Sequence, residues 1–167
     1  MKHSNHRHAG AEDKPMHHYR KLMLMTALSF IAMYILMYAM VDVFANVVHN
    51  VNQIYMAGLM ATPMVIIELL VMGGMYNNKK RNAIIIAVSA LALAGFFLLI
   101  RQQGGVSDRQ FLKSMIPHHA SAILMSEEAD LNDPEVRALA RQIIESQQEE
   151  IRQMKAKLEA MDADSKK

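Results

Sequence analysis

The side chains best suited to chemistry lie in one short run, MIPHHASAILM, from Met115 to Met125. On a helix advancing about 100° per residue, Met115, His118, His119, Ala122 and Met125 fall within roughly 120° of one another. One face then carries two thioethers and two imidazoles. Thioether sulfur binds hard cations poorly and suits Cu(I), whereas imidazole accepts copper, zinc, iron or nickel. The mixed face points to copper or silver and leaves other transition metals open. Methionine at helical spacing is also ordinary flexible core filler. Pro117 either kinks this helix and re-aims the imidazoles or marks the helix start.

Composition narrows the ligand chemistry. The chain has 167 residues, 16 Met, no Cys and no Trp. Without cysteine there is no disulfide, thiolate zinc site or iron–sulfur cluster, so Met and His supply the soft and borderline donors. The net charge of +2 sums two unlike parts: residues 1–100 hold 8 Lys/Arg against 4 Asp/Glu, and residues 101–167 hold 10 against 12. This balance gives no reason to expect nucleic acid, and nothing in the pattern points to a small organic substrate.

The elements that must position these donors follow in order. Residues 1–21 read as a polar tail carrying five of the eight histidines, a segment able to scavenge metal or merely solvated. Residues 22–100 read as three transmembrane helices, over Leu22–Val41, Gln53–Tyr76 and Ala83–Ile100, each long enough for about 30 Å of hydrocarbon. The apolar run is too long for a secretory signal. Lys14, Arg20 and Lys21 precede the first span and Lys79, Lys80 and Arg81 separate the second from the third, while the loop from Asp42 to Asn52 has no Lys or Arg. The positive-inside rule then puts the N-terminus in the cytoplasm and the segment after Ile100 outside.

The spans carry candidate donors of their own. Met33, Met37 and Met40 form one stripe and Met56, Met60 and Met64 another, readable as packing or as a metal path. Glu68, near mid-membrane on this reading, faces protein or water, or sits neutral against a Ser, Thr or Tyr hydroxyl. Asp42, Asn46, His49, Asn50 and Asn52 gather on the external side, as helix caps or as added ligands near the mouth of the stripes. Residues 101–107 form a linker and residues 108–167 an antiparallel helical hairpin. Ser107 or Asp108 caps its first helix, and Asp133 with Pro134 starts its second. The inward stripe of the second is Ala140, Ile143, Ile144, Gln147, Ile151, Met154, Leu158 and Met161, which places Met154 where it can add a third sulfur. Two helices bury little, so a homo-oligomer, most simply a dimeric four-helix bundle, is expected.

The run DRQFLKSMIPHHASAILMSEEADLNDPEVRALARQIIESQQEEIRQMKAKL resembles the bacterial family known as domain of unknown function 305. Phe111, Met115-Ile-Pro-His118-His119, Met125, the Gln147 to Ile151 stretch and Met154 carry the likeness. The segment from Met33 to Tyr76 is similar to the membrane portion of a three-span branch of that family. The resemblance implies a ferritin-like all-α fold, kinship with CopM-like periplasmic copper-binding proteins, and copper or silver handling.

The leading expectation is therefore a protein anchored in the bacterial inner membrane, with its hairpin in the periplasm. It would capture Cu(I) or Ag(I) through Met115, His118, His119, Met125 and Met154. Two other classes stay open. One is a metal transporter or channel component using Met33, Met37, Met40, Asp42, His49, Met56, Met60, Met64 and Glu68; the other is a membrane-anchored helical assembly with no metal role. An enzyme is not expected: no nucleophile–base pair or phosphate loop appears, and ferritin-like di-iron chemistry wants Glu-x-x-His pairs.

Overall fold

The computed structural model describes residues 15–165. The histidines at positions 3, 6 and 8 lie outside them. Among the described residues the regular structure is helical throughout, as the sequence leads one to expect: α1 (Pro15–Leu36), α2 (Val51–Val71), α3 (Lys79–Gln102), α4 (Asp108–Glu128) and α5 (Pro134–Asp164), with short 3₁₀ turns between them.

α1, α2 and α3 are each long and apolar enough to cross a membrane. Their packing is inside-out relative to a soluble bundle. The buried positions of α2 facing its neighbours are Ala57, Gly58, Ala61, Val65 and Leu69, small toward the helix start so that backbones approach closely. At Gly58 a Cβ would fall 2.5 Å from the Phe96 ring of α3. Large apolar side chains instead point away, with Leu28, Ile31, Ile35, Leu70, Val88 and Leu91 all more than half exposed.

α1 starts at Pro15, inside the segment read from sequence as a tail. Proline's fixed φ and missing amide suit a first turn, and Tyr19 and Leu22 are buried against Val65, Leu69 and Tyr76. The Tyr19 hydroxyl also donates to Asn82 Oδ1 at 2.6 Å, which ties α1 to α3. The second span ends earlier than expected, at Val71. Glu68 therefore sits in the last turn of α2 rather than near its middle, where the Tyr76 hydroxyl donates to its Oε1 at 3.3 Å.

After α3, Gln103 and Gly105 take positive φ (51° and 71°) and turn the chain. Ser107 caps α4 by accepting from Gln110 N. Pro117 lies within α4, which runs through it without ending. Asp133 caps α5 through Glu135 N and Val136 N at 2.8 and 3.0 Å. α4 and α5 close over Ile116, Ala120, Ile123, Ile151 and Met154; the α5 stripe read from sequence is its inward face.

The hairpin rests on the α1–α2 connection. Val41 and Val48 pack against the hairpin core, Gln110 Oε1 accepts from Val51 N at 3.1 Å, and Lys155 Nζ donates to Asn46 Oδ1 at 2.5 Å.

Candidate metal centre

His118 and His119 are neighbours about 100° apart on one helix, and the packing of α4 between α5 and the apolar helices sends them to different places. His119 is buried at 8% exposure and turns toward α5, while His118 is exposed.

Around His119 the geometry is specific. Its Nδ1 lies 2.9 Å from the Met115 carbonyl oxygen and its Nε2 lies 2.6 Å from Glu150 Oε2. A carbonyl can only accept, so Nδ1 carries a proton. Glu150 also accepts from the Ser146 hydroxyl at 2.9 Å; that bond and the one to His119 hold its carboxyl below the usual carboxylate range. Met115, His119, Glu150 and Met154 line one open cavity of about 390 Å³, beside Phe111, Leu112, Gln153 and Lys157. Two thioethers, an imidazole and a carboxylate thus face a common space.

His118 belongs to a second cavity, of about 400 Å³, between α4, the end of α1 and the start of α2. Met37, Met40 and Met56 from the apolar part line it with His118 and Met115. The remaining sequence-predicted positions lie elsewhere. Met125 is 53% exposed and borders a shallow apolar depression with Val136 and Leu139, away from both histidines. Met60 is 43% exposed, and Met33 and Met64 are half-buried without lining either cavity. Asp42 is engaged as a turn former, its Oδ1 accepting from Val43 N and from Asn46 Nδ2. His49 is stacked on the Tyr34 ring and hydrogen-bonded to its hydroxyl.

Among the described residues no three of His, Asp and Glu gather into a group that would hold a metal ion. Any metal held by these cavities would lean on thioether sulfur, which disfavours hard divalent ions and suits Cu(I) and Ag(I).

The family model described as "Domain of unknown function (DUF305)" matches residues 94–158, the end of α3 through most of α5. An uncharacterized protein of Acanthamoeba polyphaga mimivirus, L153, is 31% identical over 144 residues, 83% of this chain and 91% of that protein. The chain belongs to the DUF305 family. The viral alignment is much longer than the DUF305 match, so the likeness takes in the apolar helices as well as the hairpin. No solved structure matches the chain.

Within this DUF305 chain, sequence reasoning missed Glu150 altogether. Its signal was present: Glu150 stands four residues before Met154 on α5, hence on the same side of the helix, and a buried imidazole on α4 demands an acceptor on the facing helix.

Proposed function

We propose that this protein is a non-enzymatic, membrane-anchored binder of Cu(I) or Ag(I), which the α4–α5 hairpin captures outside the membrane. The observation that carries the reading is the convergence of Met115, His119, Glu150 and Met154 on one cavity. The Met115 carbonyl fixes the His119 tautomer and ring orientation, as acceptors behind metal-binding histidines do, and so presents Nε2 to the cavity. His119 and Glu150 would supply a nitrogen and an oxygen donor to the ion, and the sulfurs of Met115 and Met154 would complete a soft donor set.

For placement, the basic residues flanking α1 and those at the start of α3 support a cytoplasmic N-terminus and a hairpin in the periplasm of a bacterial inner membrane. A reporter fused after Lys167 is expected to read as periplasmic, and a cytoplasmic reading contradicts the orientation. The exposed Met125, Val136 and Leu139 side chains support self-association of the hairpin; a detergent-solubilised chain that stays monomeric at every concentration contradicts it.

The binding itself is tested by competition titration of the full chain with Cu(I) and Ag(I). Met154→Leu keeps side-chain volume and is expected to weaken the hairpin site at least tenfold, about 1.4 kcal/mol, with helicity retained. Met125→Leu is expected to change nothing. Unchanged affinity in Met154→Leu rules out the assigned site.

A further inference from the structure

The cavity at the junction of hairpin and apolar helices is assigned no role by capture at His119, yet its lining is richer in sulfur than the hairpin pocket. Met37 and Met40 come from the 3₁₀ turn that ends α1, Met56 from the second turn of α2, and Met115 and His118 from α4. These donors are separated in sequence by up to 81 positions (118 − 37), and it is the docking of α4 on the end of α1 and the start of α2 that brings them to one space. That docking is held by the Gln110–Val51 and Lys155–Asn46 bonds. Asn52, which lines the same cavity, donates through Nδ2 to Gln103 Oε1 at 2.9 Å and so ties the start of α2 to the turn after α3.

We propose that this junction cavity is a second site for a soft monovalent ion, Cu(I) or Ag(I), built from the thioethers of Met37, Met40 and Met56 with His118, and sharing Met115 with the hairpin pocket. Neutral sulfur and imidazole donors take such an ion without burying a carboxylate at the membrane boundary. Exclusively neutral donors also distinguish it from the hairpin pocket, where Glu150 compensates one positive charge. Met115 lines both cavities. Its loss is therefore expected to weaken both sites where loss of Met37 or Met154 weakens one.

The site rests on the same soft-metal chemistry as the hairpin reading, and the test separates the two. The full chain in lipid nanodiscs is titrated with Ag(I) against a competing chelator, and the number of ions bound per chain is counted. Wild type is expected to hold two. Met37→Leu combined with Met56→Leu keeps volume and is expected to hold one, at the hairpin affinity. Met154→Leu is expected to lose the other and keep the junction ion, while Met115→Leu weakens both by at least tenfold. Silver chemical-shift perturbation of ¹³C-methyl methionine signals gives an independent readout, with Met37, Met40 and Met56 moving in the Met154→Leu protein. Two ions retained at unchanged affinity in Met37→Leu/Met56→Leu, or no perturbation of those three methyls, overturns the junction site and leaves hairpin capture standing. Loss of binding in Met154→Leu together with full retention in the double variant removes the junction site as well.

Discussion

The two halves of the molecule bury opposite things. In the hairpin, Ile116 and Ile123 are 1% exposed, and charges cover the outside, as water demands. Among α1, α2 and α3, α2 buries small residues at Ala57, Gly58 and Ala61, and large apolar side chains such as Leu91, 74% exposed, face outward. In water, burial of bulk drives packing. In hydrocarbon that drive is missing, and helices associate through close approach of small residues. The same residue type is therefore distributed differently in the two regions: an exposed large aliphatic side chain is the exception in the hairpin and common along the apolar helices.

The comparison breaks most easily at the hairpin core. Ile123→Ala is expected to destabilise the hairpin by about 2–5 kcal/mol, the usual range for a fully buried large-to-small change. Leu91→Ala in α3 is expected to cost less than about 0.5 kcal/mol, as for a site without packing partners. Thermal melts in one detergent compare the two, and equal losses would erase the distinction. Gly58→Ile comes next, at about 1–3 kcal/mol from overpacking against Phe96, read as a weakened α2–α3 association while the hairpin stays folded. Melting of the hairpin instead would show that the two regions unfold as one.

The smallest expected effect is electrostatic. Glu150 has its carboxyl held below the ordinary value of 4.5 by the Ser146 hydroxyl and by His119. A depressed carboxyl stabilises the fold above its unfolded value, and that contribution is lost as pH falls through the folded one. The difference in melting midpoint between wild type and Glu150→Gln is expected to shrink as pH falls from about 5 to below about 4, where the carboxylate is protonated. A difference that does not shrink across that acid range contradicts the hydrogen bonds assigned to the Glu150 carboxylate.

How legible each half was in the sequence follows from the same contrast. The hairpin could be read closely, because in water a 3.6-residue apolar period names the inward face, and Asp133-Pro134 announces a helix start. The α5 stripe from Ala140 to Met161 is that face. The apolar spans were legible as spans but not in detail, since uniform hydrophobicity hides both ends and orientation. α1 extends back to Pro15 because Tyr19 and Leu22 find partners on α2 and the following loop, contacts no local pattern reveals. Glu68 was placed too deep because the end of α2 was read five residues late (76 − 71).

The candidate site was legible as a list of donors but not as an arrangement. His118 and His119 share an approximate face on a helical wheel, yet α4 packs on two partners at once, and about 100° of rotation is enough to send one imidazole to each. Met125 shares the side of His118 but stands two turns away, roughly 10 Å along the axis, and borders another depression. The asparagines of the α1–α2 connection divide by role. Asn50 caps α2 by accepting from Gln53 N, whereas Asn46 receives Lys155 from 109 residues further along, a pairing that only the docked hairpin creates.

The proposed chemistry rests on sulfur from Met115 and Met154 meeting the His119 imidazole around one ion. X-ray absorption at the copper edge, on the full chain loaded anaerobically with one Cu(I), tests this most directly. The account predicts sulfur scatterers together with a nitrogen scatterer, and a fall in the sulfur contribution in Met154→Leu. A first shell of nitrogen and oxygen alone, unchanged by Met154→Leu, would contradict it.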